Sequence, residues 1–279
     1  MAIWFDEIHK DSTRFGCKIE RTLFVGQSPF QKVTIVETSA LGRALLLDDL
    51  WMCAEGEEKT YHELITHPAL TCAPRIERVL IIGGGDGGTA REVLRHPEVK
   101  HVDMVEVDGM VVDASKEFLG TIGTAWNDPR LTVMIDDGIE FVRTATQGYD
   151  VIIVDGSDPQ GPAVGLFNEA FFRNCAKLLS DNGVFVTQSE SPNLQRDVHI
   201  EMVQTLQRVF PKVHPYYDTV TIYPGGTWSW CFASKGVSPH EPNLERVARV
   251  EQHTDVYNRE MHHGVFAVPN ALKRIFAGG

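Results

Sequence analysis

The chain has 279 residues, enough for one sizeable core or for one core with a small appendage. Its 26 basic and 38 acidic side chains give a formal net charge of -12. Such a surface repels nucleic acid and anionic lipid and attracts small cations, so we expect neither a nucleic-acid nor a membrane partner. Many proteins are this acidic only for solubility, so the charge alone does not select a ligand.

The cysteines and the apolar runs indicate a reduced, unexported protein. Five cysteines form no CxxC pair and no metal-ligand spacing, and an odd number argues against a disulfide framework. No stretch approaches 18 consecutive apolar residues, and the start MAIWFDEIHKD lacks the basic and apolar regions of a signal peptide. We therefore expect a cytoplasmic protein.

Two patterns of apolar residues divide the chain. Residues 17–57 contain the short apolar runs RTLFV, KVTIVE and RALLLDD, separated by turn-like stretches, which predicts a small antiparallel sheet. We place this β domain at residues 1–60. From residue 61 to residue 279, strand-like runs alternate with segments of helical period; the runs are RVLIIG, HVDMVEVD, LTVMIDD, DVIIVDG and GVFVTQS. This alternation is typical of a doubly wound α/β sheet. The later runs KVHPYYDTVTIY and TWSWCFASK predict an antiparallel strand pair near one edge.

Acidic residues follow four consecutive predicted strands. They are Asp86, Glu106 with Asp108, Asp136 with Asp137, and Asp155 with Asp158. One such acid often caps the next helix. Four groups at the ligand-binding edge of one sheet repel one another, however, which indicates a ligand that neutralises them.

The glycine-rich turn GGGDGG, residues 83–88, carries one of these acids. Glu106 follows it by about 20 residues, where an acid accepts hydrogen bonds from a ribose in nucleotide-binding units. A dinucleotide dehydrogenase would share these features, but a pyrophosphate at this turn would meet the carboxylate of Asp86. A nucleoside with a positively charged tail fits both acids better, and an adenosyl sulfonium bearing an amine is such a molecule.

At this point the chain resembles the spermidine synthases, which are aminopropyltransferases. The resemblance runs nearly end to end through IWFDE (3–7), FQKV (30–33), TYHEL (60–64), GGGDGGTARE (83–92), VEVD (105–108), DDG (136–138), DGSDPQGP (155–162), QSES (188–191), YPGG (223–226) and YNREMHH (257–263). It implies a Rossmann-like, class I methyltransferase-like fold. It also implies transfer of an aminopropyl group from decarboxylated S-adenosylmethionine to putrescine, giving spermidine and 5'-methylthioadenosine.

The resemblance also implies roles for individual residues. Asp155 is the expected proton acceptor, and Tyr61 helps to hold the attacking nitrogen. Asp86 is expected to hold the amine of the aminopropyl tail. Residues expected at the nucleoside are Gln31, Glu106, Asp137, Gly138 and Pro162. Residues expected in the polyamine channel, besides Asp86 and Asp155, are His62, Asp158 and Tyr223, with Trp4 and Glu190 at its far end. No metal and no cofactor are implied, because the donor is a co-substrate, and a homodimer or homotetramer is expected.

Departures from the family pattern leave the acceptor open. The chain reads LDDLWMCAE at 47–55, which places Asp49, Trp51 and Met52 where glycine, isoleucine and glutamine are usual, and TIYPGG lacks a proline before Tyr223. Cadaverine, agmatine or spermidine therefore remain alternatives to putrescine. A methyltransferase that uses S-adenosylmethionine and a non-catalytic binder of polyamines or nucleosides remain rival classes. The adjacent His262 and His263 are expected on an extended segment, facing opposite sides, and hence not as a metal site.

Overall fold

The computed structural model describes residues 3–9, 11–158 and 161–276, without the side chains of residues 161 and 162, and begins with an antiparallel sheet. Its strands are hydrogen-bonded in chain order: β1 (Ile3–His9), β2 (Thr13–Gln27), β3 (Lys32–Thr38), β4 (Gly42–Leu47) and β5 (Leu50–Ala54). The predicted antiparallel sheet is confirmed. The prediction started this sheet at Cys17, however, and so missed the edge strand β1, whose residues IWFDEIH do not alternate regularly between apolar and polar.

The turn between β4 and β5 shows how the chain accommodates an unusual residue. Asp48 and Asp49 both have positive φ, 48° and 68°, as a tight hairpin turn requires at its two central positions. Aspartate tolerates this region better than most residues. The backbone N–H of Lys32 donates to Asp48, and the Lys32 Nζ lies 2.8 Å from Asp49 Oδ1. These contacts explain how aspartate can stand at a position where glycine is usual.

The second sheet has seven strands and is mainly parallel. Its strands are β6 (Arg78–Gly83), β7 (His101–Glu106), β8 (Leu131–Ile135), β9 (Tyr149–Asp155), β10 (Leu179–Gln188), β11 (Lys212–Thr219) and β12 (Thr227–Ser234). They lie in the order β11-β12-β10-β9-β6-β7-β8. β12 is antiparallel to both β10 and β11, so the predicted antiparallel pair at one edge is confirmed.

Helices cover both faces of this sheet. They are α1 (Lys59–Cys72), α2 (Gly88–Leu94), α3 (Gly109–Phe118), α4 (Gly138–Thr144), α5 (Glu169–Leu178), α6 (Arg196–Gln207), α7 (Leu244–Val250), α8 (Arg259–Gly264) and α9 (Asn270–Phe276), with a 3-10 helix at Gly161–Phe167. In β6, Val79 and Ile81 pack into one core, and Leu80 and Ile82 into another. A strand buried on both faces explains why RVLIIG is an unbroken apolar run, and the doubly wound fold is confirmed.

Helix α1 lies in the centre of the molecule, and every residue from Tyr61 to Cys72 is buried. Pro68 lies inside this helix and has no N–H to donate to the carbonyl of Leu64. The hydroxyl of Tyr216 on β11 donates to that carbonyl instead, at 2.8 Å. The interior proline is thus compensated by a tertiary contact, and α1 continues past it.

The predicted extended segment at His262 and His263 is wrong, because both residues lie in helix α8. Asn258 caps this helix by accepting the Met261 N–H at 2.8 Å. His262 is buried and His263 is exposed. In the described ranges, no helix is long and apolar enough to cross a bilayer.

Candidate active site

The carboxyl ends of β6 and β9 meet at the point where the strand order of the sheet reverses. Gly83 at the end of β6 pairs with Asp155 at the end of β9. Gly83 has φ of +84°, and a Cβ there would lie 2.1 Å from the Asp155 carbonyl oxygen. Glycine is therefore required for the two strand ends to approach, and the approach places Asp155 beside the turn that carries Asp86.

A cavity of about 530 Å³ opens at this edge of the sheet. It is lined by nine of the residues predicted from the sequence: Gln31, Tyr61, Asp86, Glu106, Asp137, Gly138, Asp155, Asp158 and Tyr223. These residues lie between positions 31 and 223 of the chain, in strand ends, helices and the connections between them. The structure thus brings most of the predicted site together in one place.

Asp155 is held by two hydroxyl groups. The Tyr61 hydroxyl donates to Asp155 Oδ1 at 2.8 Å, and the Thr89 hydroxyl donates to Oδ2 at 2.6 Å. Burial, followed by the negative charge of Asp86, raises the pKa of the Asp155 carboxyl. A carboxyl group with a raised pKa is a better proton acceptor than an ordinary one. Thr89 was not predicted, although it lies within the matched stretch GGGDGGTARE.

The surroundings of Asp86 shift its pKa in the opposite direction. Its Oδ1 accepts the Gly88 N–H at 2.7 Å and lies 3.2 Å from His62 Nε2. Burial by itself would raise the pKa of Asp86, but the charge and hydrogen bond of His62, together with the Gly88 N–H, lower it. Asp86 is therefore the fixed anion of the site. Asp155 is the carboxyl that can take up a proton.

The end of the cavity at which the sequence predicts the nucleoside, called the nucleoside end below, is built on β7 and α3. Gln31 Nε2 donates to Asp108 Oδ2 at 3.1 Å, and the Asp108 N–H donates to Glu106 Oε1 at 3.0 Å. Burial raises the pKa of Glu106 to about 7. Asp137 caps α4 by accepting the Ile139 N–H at 2.8 Å. The cavity thus has carboxylates from the ends of β7 and β8 on one side.

The other end of the cavity is also acidic. Asp158 and Glu7 both line it, and Glu7 Oε2 accepts the Trp51 N–H at 2.9 Å. Burial raises the pKa of Asp158, and burial together with Asp158 raises that of Glu7 to about 7. Glu7 was not assigned a role from the sequence, although it lies in the matched stretch IWFDE. The Tyr223 hydroxyl donates to the Met52 carbonyl at 2.6 Å and so fixes the chain beside this end.

Glu190 lies behind the acidic end and does not line the cavity. Its Oε1 accepts a hydrogen bond from Gln188 Nε2 at 3.1 Å. Its Oε2 is buried and finds no hydrogen-bond partner among the described residues. Burial, with the charge of Asp158, raises the pKa of Glu190 to about 8, and the residue has φ of +67°. This carboxyl is poised near the cavity without facing it.

Two other predicted site residues, Trp4 and His62, do not line the cavity. Trp4 lies on β1, and 61% of its surface is exposed. The ring of His62 is buried behind Asp86, where its other nitrogen, Nδ1, contacts Glu58. The side chain of Pro162 lies outside the described part of the chain, so its predicted place at the adenine remains a prediction.

Two of the unusual residues do line the cavity. Trp51 and Met52 both contribute to its wall. Trp51 is 1% exposed, and Phe5 and Phe15 pack edge-on against its ring. Two departures from the family pattern, Trp51 and Met52, therefore lie at the acidic end of the cavity, whereas Asp49 lies in an exposed turn.

Within the described ranges, no three His, Cys, Asp or Glu side chains are grouped so that they could hold a metal ion. The five cysteines are buried and free.

Comparison with known protein families covers both parts of the chain. Residues 3–55 match the model of the spermidine synthase tetramerisation domain, and residues 58–242 match the model of the spermine/spermidine synthase domain. The chain belongs to the spermine/spermidine synthase family. The predicted class, a transferase of polyamine biosynthesis, is confirmed by this membership.

Relatives in this family align over almost the whole chain. A polyamine aminopropyltransferase of Prochlorococcus marinus strain MIT 9313 is 46% identical over 275 residues, which cover 97% of this chain and 96% of the relative. One from Alkaliphilus metalliredigens strain QYMF is 39% identical over 282 residues, covering 100% and 99%. The family's sequence pattern therefore extends through both sheets.

Solved structures of the family share the fold. A spermidine synthase in complex with the transition state analogue AdoDATO superposes with a TM-score of 0.96 and 36% identity, covering 99% of this chain and 96% of that one. The spermidine synthase from Thermotoga maritima gives a TM-score of 0.94 and 35% identity, covering 99% and 95%. The predicted Rossmann-like fold with an N-terminal β-sheet is confirmed.

Proposed function

We propose that this member of the family transfers the aminopropyl group of decarboxylated S-adenosylmethionine to putrescine, giving spermidine and 5'-methylthioadenosine. One observation carries the proposal. Two half-buried carboxyl groups of one cavity have pKa values shifted in opposite directions, that of Asp86 lowered by His62 and that of Asp155 raised by desolvation and by the charge of Asp86. Two titratable groups driven apart in this way are typical of separate roles in catalysis.

Asp86 and the nucleoside end account for the donor. Glu106 and Gln31 would hold the ribose, and Asp137 with Gly138 would meet the adenine, beside the predicted Pro162. The ammonium group of the aminopropyl tail would then lie against Asp86. A carboxylate and an ammonium group that share a partly buried site attract each other strongly. The cationic donor also neutralises part of the negative charge of the carboxylates that line the cavity.

Asp155 and Tyr61 account for the attack. An alkylamine has a pKa near ~10.4, so at neutral pH well under a thousandth of it is nucleophilic. The Asp155 carboxylate would accept a proton from the incoming ammonium group while the Tyr61 hydroxyl helps to fix the nitrogen. The free amine then forms a bond to the carbon next to the sulfonium, and the C–S bond electrons leave with sulfur as a neutral thioether. Because this leaving group is neutral, the proposed reaction requires no cofactor.

The acidic end accounts for the acceptor. Asp158 and Glu7 line it, and Glu190 lies just behind them. These carboxyl groups would hold the second ammonium of putrescine while its first nitrogen attacks. Trp51 and Met52 shape the same end, so acceptor length depends on them. Cadaverine, agmatine and spermidine are the alternative acceptors for this reason.

A conventional methyltransferase is the rival that uses a related donor. S-adenosylmethionine carries an α-carboxylate on the tail that the decarboxylated donor lacks. That carboxylate would meet Asp86, and repulsion between two like charges at ~4 Å amounts to several kcal/mol where water is partly excluded. The placement of Asp86 therefore favours the decarboxylated donor.

The N-terminal sheet supports assembly into a homodimer or homotetramer. Large apolar side chains on its strands are exposed, namely Ile3, Trp4, Ile8 and Val25. Exposed apolar patches of this kind are typical of protein–protein interfaces. The family model for a tetramerisation domain covers the same strands. A cytoplasmic location stays a prediction from the sequence.

Acceptor competition tests the proposal. The purified protein would receive decarboxylated S-adenosylmethionine with equal concentrations of putrescine, cadaverine, agmatine and spermidine, and mass spectrometry would measure 5'-methylthioadenosine and each aminopropylated product. We expect spermidine to be the dominant early product. Dominance of another adduct would keep the reaction and change the acceptor, and absence of 5'-methylthioadenosine would contradict aminopropyl transfer.

A further inference from the structure

A row of buried charges leads from the cavity into the protein interior. Asp86 Oδ1 lies 3.2 Å from His62 Nε2, and His62 Nδ1 lies 2.6 Å from Glu58 Oε2. Arg91 holds Glu58 with two donors, Nη1 to Oε1 at 3.0 Å and Nη2 to Oε2 at 2.8 Å. The signs of the charges therefore alternate from the cavity wall to helix α2.

The inner members of this row have no contact with the cavity. The side chains of Glu58 and Arg91 are 2% and 6% exposed, and neither lines the cavity wall. A buried ion pair is costly to desolvate and is often replaceable by apolar residues, so stability alone is a weak reason for such a pair. Its outer end, however, is the carboxylate proposed to bind the donor.

The row determines the charge on His62. Burial by itself would lower the pKa of the His62 imidazole, but the carboxylates of Asp86 and Glu58 outweigh burial and hold that pKa well above its usual range. With both nitrogens donating to carboxylates, the ring has no nitrogen free to accept a hydrogen bond from a polyamine's ammonium group, and as a cation it would repel one. His62 therefore fits a role behind Asp86 better than a role in the polyamine channel.

The packing at Gly88 keeps the ring in place. A Cβ at Gly88 would lie 2.4 Å from His62 Cε1, so only glycine allows helix α2 to begin against the imidazole. The Gly88 N–H and the His62 Nε2–H both reach Oδ1 of Asp86. Asp86 can thus turn only its other oxygen toward a ligand.

We propose that Glu58 and Arg91 are positioning residues for the donor, which act through His62 to keep Asp86 ionised and fixed opposite Asp155. The inference rests on the proposed donor. Without a cation behind one of them, two neighbouring carboxyl groups tend to share a proton, and either could carry it. The row decides that Asp86 keeps the negative charge and leaves Asp155 as the proton acceptor.

The substitution Glu58→Gln tests this inference with two ligands. Decarboxylated S-adenosylmethionine carries the ammonium group that Asp86 would hold, whereas 5'-methylthioadenosine has the same nucleoside and no ammonium. We expect the Kd of the donor to rise about tenfold or more, a loss of the size of one charge-assisted hydrogen bond. The Kd of 5'-methylthioadenosine should stay within about twofold, because Glu106 and Asp137 are untouched.

The substitution Glu92→Gln is the matched control. Glu92 is also a fully buried carboxylate that contacts Arg91, with Oε1 2.6 Å from Arg91 Nε, but its histidine partner is His67 and not His62. The Glu92→Gln variant should lower the melting temperature as Glu58→Gln does. It should leave the ratio between the Kd of the donor and the Kd of 5'-methylthioadenosine unchanged. A structural role for Glu58 would instead weaken both ligands alike, and that result would overturn the inference.

A second variant covers the case in which Glu58→Gln does not fold. Arg91→Lys keeps the buried positive charge, but a lysine cannot donate to both oxygens of Glu58 in the bidentate geometry of arginine. This variant should therefore weaken donor binding in the same selective way and to a smaller degree. Unchanged donor binding in the folded variants would overturn the inference and leave the proposed function intact. Failure of the wild-type protein to bind the donor would contradict the proposed function, and the inference with it.

Discussion

At the residue scale, the site depends on how different surroundings shift the pKa values of two chemically identical side chains in opposite directions. Asp155 ends strand β9, Asp86 lies in the turn after β6 of the same sheet, and both line the same cavity. A histidine stands behind one, and two hydroxyl groups hold the other. The difference lies in these neighbours and not in the aspartates themselves.

Asp155→Asn tests the assignment of the proton acceptor. The amide keeps the shape of the carboxylate and can still contact Tyr61 and Thr89, but it cannot take a proton from an ammonium group. Turnover should fall by roughly 10²–10⁴-fold, the usual contribution of a general base. Single-turnover kinetics would measure the chemical step, and titration calorimetry would show that donor binding persists through Glu106 and Asp137. A variant that keeps near wild-type turnover would show that Asp155 is not the base.

Individual residues were predictable where a motif carried them. Asp86 and Asp155 stand in GGGDGG and DGSDP, which are specific enough to assign by resemblance. Glu58 and Arg91 were not predictable, because they are 33 positions apart and charged residues are usually solvated. Only the packing of α1 on α2 shows that they meet.

At the scale of elements, the contact between α1 and α2 positions Asp86, the carboxylate proposed to bind the donor. Gly88 opens α2 directly against the His62 ring on α1. The same two helices supply Tyr61 and Thr89, which hold Asp155 from both sides. The geometry of the proposed reacting centre therefore depends on how closely these two helices approach.

Gly88→Ala tests the importance of this approach. The added methyl group would overlap the His62 ring, so the helices must separate or the ring must move. We expect a loss of about 1–3 kcal/mol in the free energy of unfolding, the usual cost of overpacking, together with weaker donor binding. Gly120→Ala is the control, since a Cβ at Gly120 has no atom within 4 Å among the described residues. Chemical denaturation would compare the two, and equal stability would contradict the close-packed interface.

The elements themselves were predictable to different degrees. Long apolar runs such as RVLIIG gave the strands and their alternation with helices, because a strand buried on both faces leaves a clear pattern. Strand β1 and helix α8 were missed. β1 is an edge strand with few buried side chains. α8 has six residues, too few for a helical repeat of apolar residues to be recognised in the sequence. Three backbone N–H groups before α8, from residues 255–257, donate to the buried carboxylate of Glu63, a contact that no local pattern reveals.

At the scale of the whole molecule, acidic side chains lie in the cavity wall and buried elsewhere in the protein as well as on the surface. Burial is the largest cause of a raised pKa at four glutamates: to about 7 at Glu7, Glu57 and Glu106, and to about 8 at Glu190. Several carboxyl groups of the ligand-free protein therefore resist ionisation. A ligand with several positive charges relieves this, which agrees with the proposed substrates.

Stability should depend on pH in a direction set by these groups. In the folded protein the four glutamates keep protons above pH 4.5, their ordinary pKa, where the unfolded chain has lost them. Their contribution to stability is complete below about pH 4.5 and is lost as the pH rises through 7 to 8. Glu58 acts in the opposite sense: although burial opposes the shift, His62 and Arg91 lower its pKa to about 2, so its contribution is lost below pH 4.5.

The melting temperature of the ligand-free protein should accordingly fall between about pH 6 and about pH 8 at constant ionic strength. Differential scanning fluorimetry measures it directly. Glu190→Gln removes the carboxyl group with the highest of the four pKa values. The melting temperature of this variant should therefore fall less than that of the wild-type protein over the same pH range. A melting temperature that rises with pH, or a variant with an unchanged slope, would contradict the charge distribution described here.

Donor selectivity is the most direct test of the central claim that the site transfers an aminopropyl group and uses Asp86 as an anion. The wild-type protein would be incubated with putrescine and either decarboxylated S-adenosylmethionine or S-adenosylmethionine, and mass spectrometry would follow all nucleoside and amine products. We expect 5'-methylthioadenosine and spermidine in equal amounts from the first donor and no product from the second. Methylated amine with S-adenosylhomocysteine from the second donor, and no 5'-methylthioadenosine from the first, would contradict it.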